Sequence, residues 1–160
     1  MQENMSEQPL DPAFRPLTKT ERRSLWLGEY EKQDFALQTW IRLVEQQQTE
    51  IEVMFQMHGM LVFGTMISTA AYARFHIALY EGLYRQEEPE TADALQQYYT
   101  ALVPAADQPE MGPEGLPFIF RYAHLRATTL MSAGHKVKLP YWRGKLAEVD
   151  AFVIGASAGE

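Results

Sequence analysis

The strongest constraint on the fold is the stretch from Ile51 to Tyr84, IEVMFQMHGMLVFGTMISTAAYARFHIALYEGLY. Between Glu52 and Arg74 it holds no Asp, Glu, Lys or Arg. A run of that length is long enough to cross a bilayer, or to form the central helix of a soluble bundle. Gln56, His58, Thr65, Ser68 and Thr69 interrupt it, and polar groups at mid-membrane are expensive. Arg74 and His76 follow directly, and the apolar pattern then resumes at Ile77, Leu79 and Leu83. The reading is therefore a buried helix, with no stable membrane insertion. Gly59 and Gly64 are candidate kink points, because an interior glycine costs about 1 kcal/mol relative to alanine.

The flanking periodicity extends that reading. Leu37, Ile41, Val44, Gln48, Ile51, Phe55, His58 and Val62 alternate at spacings of four and three, which is one face of a helix. The segment from Gln46 to Glu50 interrupts this face with polar residues. Upstream, Thr18 and Glu21 have capping-box spacing for a first helix ending near Gly28. Downstream, Pro89 suits a first helical position and opens a helix over about 88–103, with acidic residues at its N-terminal end. The segment 104–117 holds four prolines and two glycines and reads as a crossover or a lid loop. Further helices are predicted from Pro117 to Gly134 and from Pro140 onward. The predicted fold class is all-α, a single-domain bundle of five to six helices around residues 51–84. Residues 1–17 read as a disordered arm, 18–155 as the helical domain and 156–160 as a frayed tail.

At 160 residues the chain can bury a full core without staples. The absence of Cys removes disulfides, thiol catalysis and Cys-ligated metals, and fits a reducing, cytoplasmic setting. No metalloprotease, nucleophile-elbow, phosphate-loop or dinucleotide motif is present. Along continuous helices, His58 and His76 would stand about 27 Å apart and could not share an ion. Met54, Met57, His58 and Met60 form a local cluster of soft ligands that reads as core packing rather than a metal or haem site, with His58 as a core or interface residue. No cofactor or metal is predicted.

Charge is segregated along the chain. From Glu81 to Glu114 there are eight acidic residues and one basic residue, Arg85. From Gly115 to Ala147 there is no acidic residue, and Arg121, Arg126, Lys136, Lys138, Arg143 and Lys145 stand there with Tyr141 and Trp142. These eight residues are the candidate partner-contact surface. They meet either an anionic partner or the chain's own acidic segment. The net charge of −7 opposes general nucleic-acid affinity. The function read from these features is a non-enzymatic interaction protein, an adaptor or homo-oligomerising module. A nucleic-acid-associated regulator using the basic block is the alternative, and a small-ligand-binding helical domain is a third.

Overall fold

A computed structural model describes residues 16–104, 111 and 115–159. It corrects the all-α expectation. The chain is α+β, with a five-stranded antiparallel sheet and four α-helices among the described residues. In chain order these are α1 (Lys19–Glu31), α2 (Phe35–Gln47), β1 (Ile51–Met57), β2 (Met60–Ile67), α3 (Thr69–Tyr84), α4 (Pro89–Leu102), β3 (Tyr122–Ser132), β4 (His135–Lys145) and β5 (Ala151–Ile154). The sheet order is β4-β3-β2-β1-β5.

The predicted central helix is a β-hairpin followed by a shorter helix. Gln48 ends α2 in the left-handed region at φ 51°. Beyond it, Val53, Phe55 and Met57 are buried while Glu52 and Gln56 are exposed, which is the period of a strand. His58 and Gly59, at φ 49° and 78°, make the two-residue turn into β2. Positive φ at both central residues matches the right-handed twist of the flanking strands. Ser68 then caps α3, its Oγ accepting from the Ala71 amide at 3.1 Å. Leu61 and Phe63 lie on the opposite face of β2 from buried Val62, so neither is a core residue of a helix. No helix among the described residues is long and apolar enough to cross a membrane.

The predicted helices after Pro117 are also strands. Ala133 and Gly134, at φ 48° and 80°, turn β3 into β4, and a single 3-10 turn at Leu146–Glu148 leads to β5. Two helices keep their predicted caps. The Thr18–Glu21 capping box is formed, although α1 runs past Gly28 to Glu31, and Pro89 opens α4. The second helix starts at Phe35, with Asp34 accepting from the Leu37 amide. Residues 105–110 and 112–114 of the loop from 104 to 117, and the whole arm before Pro16, lie outside the described residues.

One sheet face carries the main core. Leu37, Ile41 and Val44 of α2 pack with Val53, Phe55, Met57, Val62, Met66, Ala123, Leu125 and Leu146. The Gln38 side chain fixes the entry to β3. Its Nε2 donates to the Phe120 carbonyl at 2.8 Å, and its Oε1 accepts from the Phe120 amide at 2.9 Å. Between Phe63 and Thr65 the β2–β3 register shifts by one residue, with Ala127 and Thr128 opposing Gly64. The bulge turns Thr128 inward, so β3 lacks one continuous alternation.

Candidate partner-binding face

The basic block lies on the β3–β4 hairpin and on the segment leading into it, not on two helices. Arg121 and Arg126 are engaged within the chain. Arg121 donates to Glu29 of α1 at 3.1 Å, and Arg126 Nε donates to Glu50, before β1, at 3.1 Å. The Arg126 pairing holds the Glu50 carboxyl below its ordinary pKa. The acidic stretch answers to its own arginine, with Glu81 and Asp93 both receiving Arg85. The acidic and basic segments are therefore not joined to each other by any ion pair among the described residues.

The other six candidates divide between interior and surface. Trp142 packs towards the core beside Phe55, ring centroids 6.3 Å apart. Its indole lies where a side chain on Gly144 would stand, with Cη2 only 1.9 Å from an ideal Cβ there. Tyr141 stacks on Phe75 of α3 at 3.8 Å. The Arg143 guanidinium sits 3.5 Å above the Tyr122 ring, and its Nε is buried with no hydrogen-bond acceptor. Lys136, Lys138 and Lys145 are exposed, and none has a carboxylate in ion-pair reach among the described residues.

Register places Lys136 and Lys138 on the face opposite the main core. Directly opposed residues share a face. Lys138 opposes Thr129, Thr129 opposes Phe63, Phe63 opposes Met54 and Met54 opposes Val153. The next row runs from Lys136 through Met131, Leu61 and Gln56 to Ala151. Met54, Leu61, Phe63 and Met131 are half-buried and Val153 is exposed. Beside them Phe63, Thr65, Thr129 and Ala156–Gly159 line a groove of about 350 Å³. The C-terminal segment thus forms a groove wall.

The other part of this face is closed by α3 and α4 through aromatic packing. Tyr72 meets His124 at 4.5 Å and His76 at 4.1 Å, and His76 stacks on Tyr99 at 4.8 Å. His124 is 3 % exposed. Its Nδ1 lies 3.3 Å from Thr69 Oγ1, which also meets Glu45 Oε1 at 2.6 Å. Burial first, then Arg143 and His76, lower the His124 pKa to about 3, so it is neutral at ordinary pH. Burial raises the Glu45 carboxyl against the lowering effect of its two Thr69 hydrogen bonds. His124 and Arg143 also border a cleft of about 370 Å³ with Trp26, Phe118, Phe120 and Tyr122. His58 is not a core residue. It sits at the hairpin tip, 2.6 Å from Glu148, with its amide donating to Asp150 at 2.8 Å. No three ligating side chains converge on a metal-sized site among the described residues.

The eight candidates read from the sequence include Lys136, Lys138 and Lys145, but the apolar rows beside Lys136 and Lys138 were missed. The available signal was Leu61-Val62-Phe63, a run apolar at every position, which in a strand means that both faces carry apolar residues. The family described as Gas vesicle protein GvpU-like matches residues 34–157, well over half of the chain. No curated protein and no solved structure matches.

Proposed function

The chain belongs to the GvpU-like gas vesicle family, and from that premise we propose that it is a non-enzymatic accessory protein that docks on another protein of the gas vesicle system. The observation that supports this reading is the pair Lys136 and Lys138. They are exposed on one edge strand, lack carboxylate partners among the described residues, and flank an apolar sheet face. Lysines without internal partners add little to stability but favour an acidic surface and speed its encounter. Lys145 extends the same charge along β4.

Gas vesicles float, which gives a direct test. Purified protein is mixed with isolated vesicles and spun slowly, and the buoyant layer is assayed for the protein. Recovery in that layer is expected, decreasing as salt rises, because exposed charges are screened beyond about 8 Å at 0.15 M ionic strength. Joint reversal of Lys136, Lys138 and Lys145 to Glu should reduce recovery while leaving circular dichroism unchanged. Recovery equal to that of an unrelated acidic protein would overturn the reading.

A further inference from the structure

We infer that the open sheet face formed by Val153, Met54, Phe63, Leu61 and Met131 is a docking site for an acidic amphipathic helix of a partner protein. The inference rests on the docking function proposed above and names the chemistry of the partner segment.

Three observations lead to it. First, the sheet is covered unevenly. α2 covers the core face, and α3 with α4 covers the His124 and Tyr141 part of the opposite face. The rows through Phe63 and Leu61 carry the same kind of side chains, yet solvent reaches all five apolar residues, with Val153 at 48 %. Helices are the usual cover for an apolar sheet face. From β5 to β4 the rows span roughly 19 Å at about 4.8 Å per strand, the length of a helix of about three to four turns.

Second, within these two rows charge stands at one end only, while Glu52 lies on the same face in the row beyond, opposite Thr65. Each row ends on a lysine, Lys138 after Thr129 and Lys136 after Met131. A helix lying along the rows would bring its terminal turn beside both ammonium groups, and Glu or Asp in that turn would answer them. Third, the edges disfavour the main alternative, addition of a strand. β4 carries Pro140, which has no amide hydrogen, and two edge lysines, while β5 is only four residues long. Recognition therefore falls to the face.

The test uses the full chain and three designed 18-residue peptides, each carrying a fluorophore. One has a leucine stripe flanked by Glu, one has the same stripe flanked by Lys, and one has the Glu without the stripe. Anisotropy should show binding of the first and at least about tenfold weaker binding of the other two. Val153→Glu and Leu61→Gln should each weaken the first peptide about tenfold or more, and Lys136→Glu with Lys138→Glu should shift preference to the Lys-flanked peptide. Val153 and both lysines are exposed and Leu61 is half-buried, so circular dichroism and the denaturation midpoint are read for every variant, and Val153→Glu carries the test if Leu61→Gln loses the fold. Equal binding of the Glu- and Lys-flanked peptides, or affinity indifferent to Val153→Glu and Leu61→Gln, would overturn the inference. So would a dimer of the free protein that Val153→Glu dissociates, since a second copy would then occupy the face. Vesicle flotation separates the two claims. Flotation that survives Val153→Glu and Leu61→Gln removes this site but leaves the docking function. Peptide binding without flotation removes the gas vesicle role but leaves the site.

Discussion

His124 and Gly144 are single residues whose surroundings fix what each tolerates. His124 is neutral in the fold, with a pKa of about 3 against an ordinary 6.5. The unfolded chain therefore binds the extra proton first as pH falls. Its contribution to stability is intact above pH 6.5 and is lost progressively between 6.5 and 3. The loss is at most about 1.4 kcal/mol per pH unit. Glu45 acts in the opposite sense, because its raised pKa favours the fold below 4.5 and that contribution is lost as pH rises through the folded value. The informative quantity is a difference. His124→Gln should flatten the slope of unfolding free energy against pH between 4 and 6.5, measured by urea titration. A slope equal to the parent's would show that His124 titrates normally. Gly144 leaves room for the Trp142 indole. Gly144→Ala should displace that ring from its place beside Phe55 and cost about 1–3 kcal/mol, read as a lower denaturant midpoint at constant m.

The two tight hairpins are the elements that decide the fold, and both use an imperfect turn pair. Residue pairs such as Asn-Gly or Asp-Gly suit the left-handed turn conformation, whereas this chain has His58-Gly59 and Ala133-Gly134. An L-residue with a Cβ pays roughly 1–2 kcal/mol in that region, which Asn partly escapes through local hydrogen bonding. Ala133 is exposed, so a larger polar side chain there points towards solvent rather than into the core. Ala133→Asn should therefore stabilise the protein by about 0.5–1 kcal/mol, measured as a higher thermal midpoint. A drop in that midpoint would mean that the β3–β4 turn differs from this geometry. The bulge at Ala127 and Thr128 is a different device. Gly64 opposes it, where an added Cβ would stand 3.1 Å from both the Arg126 carbonyl oxygen and Leu125 Cβ. The β2 strand approaches β3 that closely only because position 64 has no side chain.

At the scale of the whole molecule, α1 is an outlying element. It contributes no buried residue, Leu25 on it is 59 % exposed, and the family match begins at residue 34, after it. Its ties to the body include the Glu29–Arg121 pair and Trp26 at the cleft beside Phe120. A variant starting at Gln33 should keep the strand signature in far-ultraviolet circular dichroism and unfold cooperatively. Its loss of stability should be a few kcal/mol at most, since exposed ion pairs give about 0–1 kcal/mol and only a few apolar contacts are removed. Collapse to a state without cooperative unfolding would make α1 part of the core.

The sequence by itself determined the features that depend on local chemistry. The Thr18–Glu21 box, Pro89 at the head of α4 and the Leu37, Ile41, Val44 face of α2 are all present, because caps and helical faces are set within a few residues. It also marked Lys136 and Lys138 as charges without an acidic neighbour in their own segment. Only the tertiary structure decided between helix and strand over residues 51–67 and beyond residue 117. Phe55 and Val62 are seven apart, so a helix would place them on one face. The hairpin also places them on one face, as directly opposed partners across the β1–β2 ladder. Apolar side chains satisfy both arrangements equally, and the choice rests on non-local pairings: β3 arriving from beyond residue 120, and β5 from beyond 150. Those partners satisfy the backbone of β1 and β2 and bury Val53, Phe55 and Val62 completely, so burial and ladder hydrogen bonds outweigh local helical periodicity. The docking face follows from the same event, since Met54, Leu61 and Phe63 share a face only once the strands are in register.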